Sequence, residues 1–326
     1  MDSEKIRVGV VGLGHNGLAW CEAFRQHPEC ELVAVCDRDE ARLQAAVGRF
    51  GVRGFSDYAI FDQPIDLISI HTPDHAHAEP FIRAVEAGKH AIVEKPLAND
   101  LEDLSRMVSA ADSSGKKTYV GQVLRWNPLF RLMKRLVDDG TLGRVFYVEG
   151  DYNHDLRMQL HMEPWKVTHE KPIVGGGVHP FDLLRWYVGN ATEVYAVSNH
   201  IAYPEMHEDT TIVATFEFES GAVGKVTAMY APIIGGMAHD YNVAIYGTKA
   251  SIIRRELYLD GLDKPMAIPI EYQGHPYDPQ VEHMVRCIKE DRRPLVDVHE
   301  GANSAAGVIC AHESALLRRP VRIPRF

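Results

Sequence analysis

The sequence is short of positive charge and of long apolar runs, and each shortage excludes a class of protein. Lysine and arginine total 35 against 45 aspartates and glutamates, so the formal net charge is −10. Nucleic acids and anionic membranes favour basic partners, so we expect neither here. No apolar run approaches the roughly 18 residues of a membrane-spanning helix. The first predicted strand starts at Ile6, which leaves no room for a signal peptide.

Cysteine and histidine usage argue against a disulfide framework and against a metal site. The five cysteines are odd in number and form no C-x-x-C pair, which predicts reduced thiols in a cytoplasmic protein. The 17 histidines include two groups that could be arranged as ligands: His71, His75 and His77, or His154, His161, His169 and His179. Neither group has a recognised zinc spacing, so we predict no metal.

The length and patterning of the chain predict two domains, since 326 residues are many for one core. The first third alternates short, β-branched apolar runs with helical patterns, which is typical of a doubly wound parallel sheet. Beyond Gly121 the pattern changes, and from about residue 191 to 272 it predicts successive antiparallel strands. We therefore predict an α/β dinucleotide-binding domain over residues 1–121 and an α+β substrate-binding and oligomerisation domain over residues 122–326.

The second sheet has an apolar face that needs a cover. Apolar residues alternate with more polar neighbours at Ile212, Ala214, Phe216 and Phe218. Either helices or a partner subunit must bury such a face, so we expect self-association.

The stretch from Ile6 to Gly17 combines a strand, a tight turn and a helix start. Glycines at 12, 14 and 17 have the G-x-G-x-x-G spacing. This spacing lets the turn close, the backbone approach a pyrophosphate and the helix pack on the strand. A second strand ends in Asp37, where a carboxylate can accept hydrogen bonds from a ribose 2′-hydroxyl. Asp37 favours NAD, Arg38 beside it leaves NADP as an alternative, and an empty structural turn is the competing interpretation.

Two further strands deliver polar loops to the same edge of the predicted sheet. Strand 65–70 ends in His71-Thr-Pro-Asp-His75, and strand 90–93 ends in Glu94-Lys95-Pro96. Ligands in such folds bind at the carboxyl ends of the strands, so both loops should border the dinucleotide. The predicted cofactor contacts are Gly12, Leu13, Gly14, His15, Asn16, Gly17, Asp37, Arg38, Thr72, Pro73, His75, Glu94, Lys95 and Gln122.

Three titratable residues are the predicted catalytic groups. Lys95 follows a strand where the nicotinamide half should lie, although an exposed loop lysine paired with Glu94 is the alternative. His179 and Asp182 fall three residues apart on the helix after glycines 175–177, so they share a face. A histidine near a helix N-terminus is biased toward its neutral form, which suits a general base. A capping carboxylate beside a half-buried histidine is the alternative.

The segment 153–172, rich in His, Pro and Trp, is predicted to be a long irregular loop. Loops of that length are usually functional or disordered, and we expect this one to determine substrate specificity. Trp165 is the aromatic residue that we place against the substrate. The predicted substrate contacts are Arg125, His154, Asp155, Trp165, His179 and Tyr277.

The motifs taken together resemble one family. They are the glycine turn, Thr72-Pro73 with His75 and His77, Glu94-Lys95-Pro96, and the run Gly175-Gly-Gly-Val-His179-Pro-Phe-Asp182. Over essentially its full length the chain resembles the glucose-fructose oxidoreductase, inositol dehydrogenase and rhizopine-catabolism (Gfo/Idh/MocA) family. The resemblance implies a Rossmann domain followed by a large, mostly antiparallel open sheet, often used for oligomerisation, here in a homodimer or homotetramer.

The resemblance also implies a reaction, the reversible transfer of hydride between NAD(P) and a hydroxyl carbon of a sugar, a polyol or a related ring. It implies that Lys95 helps to position the cofactor and acts on the substrate hydroxyl. The helix of the family often reads Asp-x-x-x-His, and its histidine matches His179 while its aspartate falls on Gly175. Asp155 and Asp182 are two alternatives for the missing carboxylate.

The sequence thus predicts an NAD-dependent oxidoreductase that acts on a secondary hydroxyl of a sugar, a polyol or a derivative. Two other functions stay open. One is a dinucleotide-binding ligand sensor without turnover. The other is an enzyme that uses bound NAD transiently, for epimerisation or for glycoside cleavage.

Overall fold

Two structural units make up the protein in the computed structural model, which describes residues 5–157, 159, 163–233, 241–270 and 274–326. The first unit contains the chain up to Val123 with His275–Ala302 and Phe326, and the second contains Leu124–Gly274 and Asn303–Arg325. A single break after Gly121, as the sequence predicts, would assign residues 275–302 to the second domain. Those residues pack on the first unit instead, which is why the division of the structure differs from the prediction.

A six-stranded parallel sheet forms the frame of the first unit. Its strands are β1 (Ile6–Val11), β2 (Cys30–Cys36), β3 (Arg53–Phe55), β4 (Leu67–Ile70), β5 (His90–Val93) and β6 (Thr118–Val120). The spatial order β3-β2-β1-β4-β5-β6 reverses its direction at β1 and β4. In doubly wound folds this switch point is where ligands bind. Strands β4 and β6 are buried at every residue, as a parallel sheet with two covered faces requires.

The described helices begin at polar caps where the sequence offers them. They are α1 (His15–Gln26), α2 (Glu40–Phe50), α3 (Ala78–Glu86), α4 (Leu101–Ser114), α5 (Pro128–Asp138), α6 (Trp165–His169), α7 (Pro172–Gly175), α8 (Val178–Val188), α9 (Asp278–Lys289) and α10 (Val298–Leu317). The side chains of Asp39, Asp100 and Asn127 accept hydrogen bonds from the first turns of α2, α4 and α5. Short 3₁₀ turns occur at Tyr58–Asp62, Asp74–Ala76 and Val123–Trp126.

A nine-stranded sheet forms the frame of the second unit. Its strands are β7 (Val145–Asn153), β8 (Ala191–Asn199), β9 (Thr211–Phe218), β10 (Val223–Met229), β11 (Val243–Gly247), β12 (Ala250–Ile253), β13 (Glu256–Leu259), β14 (Met266–Ala267) and β15 (Val321–Arg322). Their order is β14-β13-β12-β11-β7-β10-β9-β8-β15, and every pair is antiparallel except β7 with β10. The predicted fold class, a doubly wound parallel sheet followed by a mostly antiparallel one, is confirmed.

The apolar face predicted to need a cover is covered within the second unit. Ile212, Ala214, Phe216 and Phe218 are all buried, and Phe216 packs on Phe181 of α8 with ring centroids 4.5 Å apart. Of the two covers that the sequence leaves open, helices or a partner subunit, a helix is the one that the structure shows, so this face gives no reason for self-association. The opposite face exposes apolar side chains instead, with Tyr195 of β8 43% exposed and Val197 52% exposed.

The segment 153–172 is more ordered than the predicted irregular loop. Its described residues include α6, and α7 begins at Pro172. The prediction missed these helices because each is only about one turn long, too short to show a periodic apolar pattern. Among the described helices, none is long and apolar enough to cross a membrane.

Candidate functional site

The glycine turn of the first unit is shaped by close backbone contacts. Gly12 has a φ of +89°, and a Cβ there would meet the backbone of His71 and Thr72 at 2.5–2.7 Å. A Cβ on Gly17 would overlap the carbonyl oxygen of Gly12. Gly14 differs, because no described atom lies within 4 Å of its Cβ position. The first and third glycines therefore close the turn, and the second leaves the backbone open toward solvent.

The start of helix α1 follows this open backbone. Gly14 occupies the N-cap position without a side-chain cap, and the first turn contains no acidic residue. His15 and Asn16 are exposed there. Uncapped N–H groups at a helix N-terminus attract an anion, so the turn fits the pyrophosphate of a dinucleotide.

The carboxylate of Asp37 ties the end of β2 to the glycine turn. Its Oδ2 accepts a hydrogen bond from the Leu13 N–H at 2.7 Å, and its Oδ1 accepts one from the Asp39 N–H at 2.8 Å. A carboxylate has about four lone-pair positions, so this half-buried group retains acceptor capacity for a ribose hydroxyl. Arg38 is exposed, and its guanidinium lies 5.9 Å from the centre of the Tyr58 ring.

Glu94 is half-buried at the end of β5 and is held by neighbours of its own unit. Its Oε1 accepts a hydrogen bond from the Trp20 indole at 2.9 Å and lies 3.6 Å from Nδ1 of His71. Burial alone would raise the pKa of Glu94, but His71, the charge of Lys95 and the Trp20 hydrogen bond lower it to about 2. Glu94 is therefore an ionised anchor for Trp20 and His71, and the backbone N–H of Lys95 lies 3.3 Å from its second oxygen.

His77 is a residue that the sequence places among possible metal ligands and in the family motif, but not among the predicted site residues. Its ring is 1% exposed, with Nδ1 at 2.8 Å from the Pro96 carbonyl oxygen and Nε2 at 2.9 Å from that of Thr72. Burial lowers the pKa of His77. This imidazole connects the loop after β4 to the loop that carries Lys95. The signal that could have revealed it is its place in the motif with Thr72 and Pro73.

Two more predicted residues lie in the first unit. Gln122, just after β6, is 1% exposed, and its Nε2 has no hydrogen-bond partner among the described residues. A buried amide donor of this kind fits a ligand that brings an acceptor. Tyr277 packs edge-on against Trp20 with ring centroids 5.6 Å apart, and its hydroxyl lies 3.4 Å from Oδ1 of Asn16. Tyr277 thus stands beside the first turn of α1, although the sequence predicts a substrate contact.

Five rings of the second unit form what we call the tyrosine–histidine cluster, which consists of Tyr152, His154, His179, Tyr230 and Tyr241. His179 is 3% exposed and stacks on Tyr152, with centroids 5.9 Å apart and planes at 12°. Tyr241 meets His179 edge-on at 5.6 Å, and His154 lies 4.2 Å from Tyr152. Two predicted substrate residues, His154 and His179, are therefore brought together by rings that the sequence did not single out.

Asp182 and Arg125 form a buried ion pair. The Arg125 Nε and one terminal nitrogen each donate to Asp182 at 2.8 Å, and both side chains are 1% exposed. The Ser304 hydroxyl also donates to Asp182 at 2.6 Å, and Arg185 donates to Ser304 at 3.0 Å. Both oxygens of Asp182 are thus bound inside the unit. We reassign this pair from catalysis and substrate binding to holding α8 in place.

The remaining predicted substrate residues lie in the segment after β7. The carboxylate of Asp155 accepts hydrogen bonds from the Arg157 guanidinium, which lowers the pKa of Asp155. Trp165 is half-buried at the first position of α6, with the Lys166 ammonium 5.6 Å from its ring centre. His161 lies outside the described residues. Among the residues described, no group of three or more His, Cys, Asp or Glu could hold a metal ion.

The glycines before α8 provide space for a carboxylate and two rings. A Cβ on Gly175 would collide with Oε1 of Glu170, and one on Gly176 would collide with the Tyr152 ring and approach Tyr230 at 2.8 Å. Glu170 is 5% exposed and accepts a hydrogen bond from the Tyr230 hydroxyl. The sequence did not single out Glu170. A charged residue five positions before a glycine triplet carries no recognised pattern.

Family models match most of the chain. Residues 6–122 match the model described as an oxidoreductase family with an NAD-binding Rossmann fold, and residues 130–253 match the GFO/IDH/MocA C-terminal domain. The chain is also 27% identical over 325 residues to the scyllo-inositol 2-dehydrogenase (NAD(+)) of Bacillus subtilis (strain 168). That alignment covers 93% of this chain and 92% of the relative.

Two solved structures resemble the whole chain. The WlbA dehydrogenase from Chromobacterium violaceum, in complex with NADH and UDP-GlcNAcA, has a TM-score of 0.89 at 27% identity and covers 99% of this chain and 97% of its own. Levoglucosan dehydrogenase in complex with NADH has a TM-score of 0.88 at 25% identity and covers 99% and 100%. Both similarities extend over the first and the second unit.

Proposed function

The chain belongs to the Gfo/Idh/MocA family of NAD-binding oxidoreductases, and from that premise we propose that it oxidises a secondary hydroxyl of a sugar, a polyol or a derivative. The observation that carries the proposal is the tyrosine–histidine cluster. It combines ring faces, which pack against the C–H surface of a sugar, with imidazole and phenol groups that hydrogen-bond to hydroxyls. Two relatives are named as dehydrogenases of scyllo-inositol, a cyclic polyol, and of levoglucosan, an anhydrosugar. Both molecules present C–H surfaces and hydroxyls that such a cluster could bind.

NAD is the cofactor of the proposed reaction. The glycine turn and the start of α1 would hold its pyrophosphate, and Asp37 would accept hydrogen bonds from its adenosine ribose. A 2′-phosphate would bring negative charge against the Asp37 carboxylate, so we propose that NADP is the weaker cofactor. Of the other predicted contacts, Thr72, Pro73 and His75 belong to the loop that His77 fixes, and we retain them as proposed cofactor contacts.

In the proposed reaction His179 removes the hydroxyl proton, and the Lys95 ammonium stabilises the alkoxide that develops. The bound nicotinamide supplies the hydride acceptor. Lys95 belongs to the first unit and His179 to the second, so their meeting on one substrate is itself part of the proposal. We propose that His154 and Trp165 contribute to substrate recognition.

Formation of NADH from NAD with a panel of inositols, anhydrosugars, pentoses and hexoses tests this function. Steady accumulation of NADH with at least one member supports the dehydrogenase. A product formed without net NADH would indicate transient use of NAD for epimerisation or glycoside cleavage. Saturable binding of a sugar to the NAD complex, with no product at all, would indicate a ligand sensor.

We further propose that the protein is a homodimer or homotetramer that associates through the open face of the nine-stranded sheet. Tyr195 and Val197 of β8 are 43% and 52% exposed there, and Val223 of β10, on the other side of β9, is 50% exposed. Burying such a patch is favourable for a second copy of the same chain. Sedimentation at micromolar concentration should show a dimer or a tetramer. The double variant Tyr195→Lys/Val197→Lys should shift it to monomer, and a wild-type monomer would overturn the proposal.

A cytoplasmic location is likewise a proposal. All five cysteines are buried and free, and burial raises the pKa of Cys21, Cys30 and Cys310 to about 12. Thiols of this kind remain protonated and unreactive, as suits a reducing compartment. Fractionation of producing cells should place the protein with cytoplasmic markers.

A further inference from the structure

Glu170 is a buried carboxylate in the second unit to which the proposed reaction gives no role. It lies just after α6 and is 5% exposed, although glutamates are seldom buried unless they are partnered. The Tyr230 hydroxyl donates a hydrogen bond to its Oε1, and the Lys166 ammonium lies 3.7 Å from its Oε2. A partnered carboxylate of this kind serves either stability or the site beside it.

The glycines of the triplet show what this carboxylate requires. Gly175 and Gly176 have no positive φ, so their backbone conformation would accept any residue. Space is what excludes a side chain, because a Cβ on Gly175 would lie only 2.3 Å from Glu170 Oε1, and one on Gly176 would displace Tyr152 and Tyr230. The triplet is therefore a recess that Glu170 and the two tyrosine rings fill.

A continuous series of contacts leads from the recess to His179. Glu170 binds the hydroxyl of Tyr230, whose ring centroid lies 5.8 Å from that of Tyr152. Tyr152 then stacks on His179 at 5.9 Å, with nearly parallel planes. Two other carboxylates do not contact these rings in the same way, because Asp155 is bound by Arg157 and Asp182 by Arg125.

We propose that Glu170 is the positioning carboxylate of the active site, which fixes Tyr230 and, through Tyr152, sets the orientation of the His179 imidazole. The inference rests on the proposed function, because it gives His179 a catalytic task. It also explains Gly175, since a carboxylate reaching the recess from residue 170 leaves no room for a side chain at 175.

The first test compares Glu170→Gln with Glu163→Gln. Glu163 pairs with the same lysine, at 2.7 Å from the Lys166 ammonium, but it does not bind Tyr230, so it is the matched control. Misplacing a catalytic group by about 1 Å can cost roughly 10²-fold in turnover. We expect Glu170→Gln to lower kcat roughly 10- to 100-fold with KM nearly unchanged, and Glu163→Gln to leave both near wild type. Equal kcat in the two variants would overturn the proposal.

Two further variants separate positioning from folding. Tyr230→Phe keeps the ring and removes only the hydroxyl that Glu170 binds, so it should lower kcat to a similar extent. In Glu170→Ala/Gly175→Asp, the Cβ of the new side chain lies 2.3 Å from the position that Glu170 Oε1 now occupies, which returns a carboxylate to the recess. We expect this double variant to recover much of the kcat lost in Glu170→Ala alone. Recovery of the midpoint of thermal unfolding without recovery of kcat would assign Glu170 to stability only.

A readout without turnover distinguishes this inference from the proposed function. In the NAD complex, the His179 ring resonances, identified by their loss in His179→Gln, report the stacked Tyr152 ring. Glu170→Gln and Tyr230→Phe should shift them, and Glu163→Gln should not. If wild type forms no NADH with any sugar but these shifts occur, the proposed function fails and the positioning role stands. Resonances unchanged in Glu170→Gln would overturn the role, whatever the enzyme oxidises.

Discussion

The glycine turn of the first unit and the tyrosine–histidine cluster of the second are built from different kinds of material. The turn consists of backbone N–H groups and three glycines within one short stretch, with Asp37 as its main side-chain contact. The cluster consists of side chains from β7 and the residue that follows it, from α8, and from the residues that follow β10 and precede β11. A backbone site tolerates change outside its glycines, whereas a side-chain site depends on every ring that packs in it.

The largest expected effect lies in the cluster. His179→Ala should lower turnover by roughly 10²- to 10⁴-fold and leave NAD affinity nearly unchanged, as expected for a lost general base. Lys95→Met, in the first unit, should reduce turnover similarly and also disturb NAD placement. Stopped-flow kinetics and calorimetric NAD titration measure the two properties. A turnover of His179→Ala within about threefold of wild type would remove the histidine from the mechanism.

The second effect concerns stability beside the cluster. Arg125→Met leaves the Asp182 carboxylate buried without its guanidinium partner, which should cost about 3 to 5 kcal/mol of unfolding free energy. The matched control is Lys134→Met, whose partner Asp138 is 58% exposed, and which should cost at most about 1 kcal/mol. Urea unfolding measures both. A normal unfolding curve for Arg125→Met with a raised KM would return Arg125 to substrate binding.

The third effect is a pH dependence in the first unit. The pKa of Glu94 lies near 2 in the folded protein, below its ordinary value of 4.5. Its contribution to stability is therefore complete above pH 4.5 and is lost as the pH falls toward 2. The whole shift corresponds to about 3 kcal/mol.

Glu94→Gln should accordingly be less stable than wild type at neutral pH, with a gap that narrows in acid. Thermal unfolding of both proteins, from neutral pH to strong acid, measures this difference in stability. Glu79→Gln, which alters an exposed pair with Arg83, should show almost none. If the stability difference between Glu94→Gln and wild type were the same at every pH, Glu94 would act by packing and not by its charge.

The smallest effect tests the glycine turn. Asp37→Ser should weaken NAD binding by about 1 to 3 kcal/mol, because ribose hydroxyls lose a charged acceptor. NADP should gain relative to NAD. Tighter NADP binding by the wild-type protein would contradict this interpretation of Asp37.

The difference between the two regions also explains what the sequence could predict. The glycine turn, Asp37 and the strand-end loops were predictable because each is a local pattern within a single βαβ unit. The cluster was only half predictable. His154 and His179 stand out as polar residues beside unusual motifs, but Tyr152, Tyr230 and Tyr241 resemble ordinary core tyrosines until the pairing of β7 with β10 and β11 brings them together.

Asp182 shows the limit of helical spacing. The interval of three residues from His179 predicts that both side chains share one side of α8. It does not predict that Arg125, 57 positions before Asp182, donates hydrogen bonds to the carboxylate. Glu170 shows the complementary limit. The proposed role of Glu170 depends on the space that the missing side chain of Gly175 leaves for its carboxylate. No sequence pattern shows that a distant residue fills such a space.

Because His275–Ala302 belong to the first unit, that unit cannot finish folding until the ribosome has made these residues. The N–H of Val120 in β6 donates to the Val296 carbonyl at 2.8 Å, and Tyr119 donates to Gln280 at 2.9 Å. A nascent chain therefore completes the cofactor-binding half only after the ribosome has made nearly all of the other half. Until then the edge strand β6 lacks these contacts, and an uncovered edge strand is the kind of surface on which incomplete chains associate.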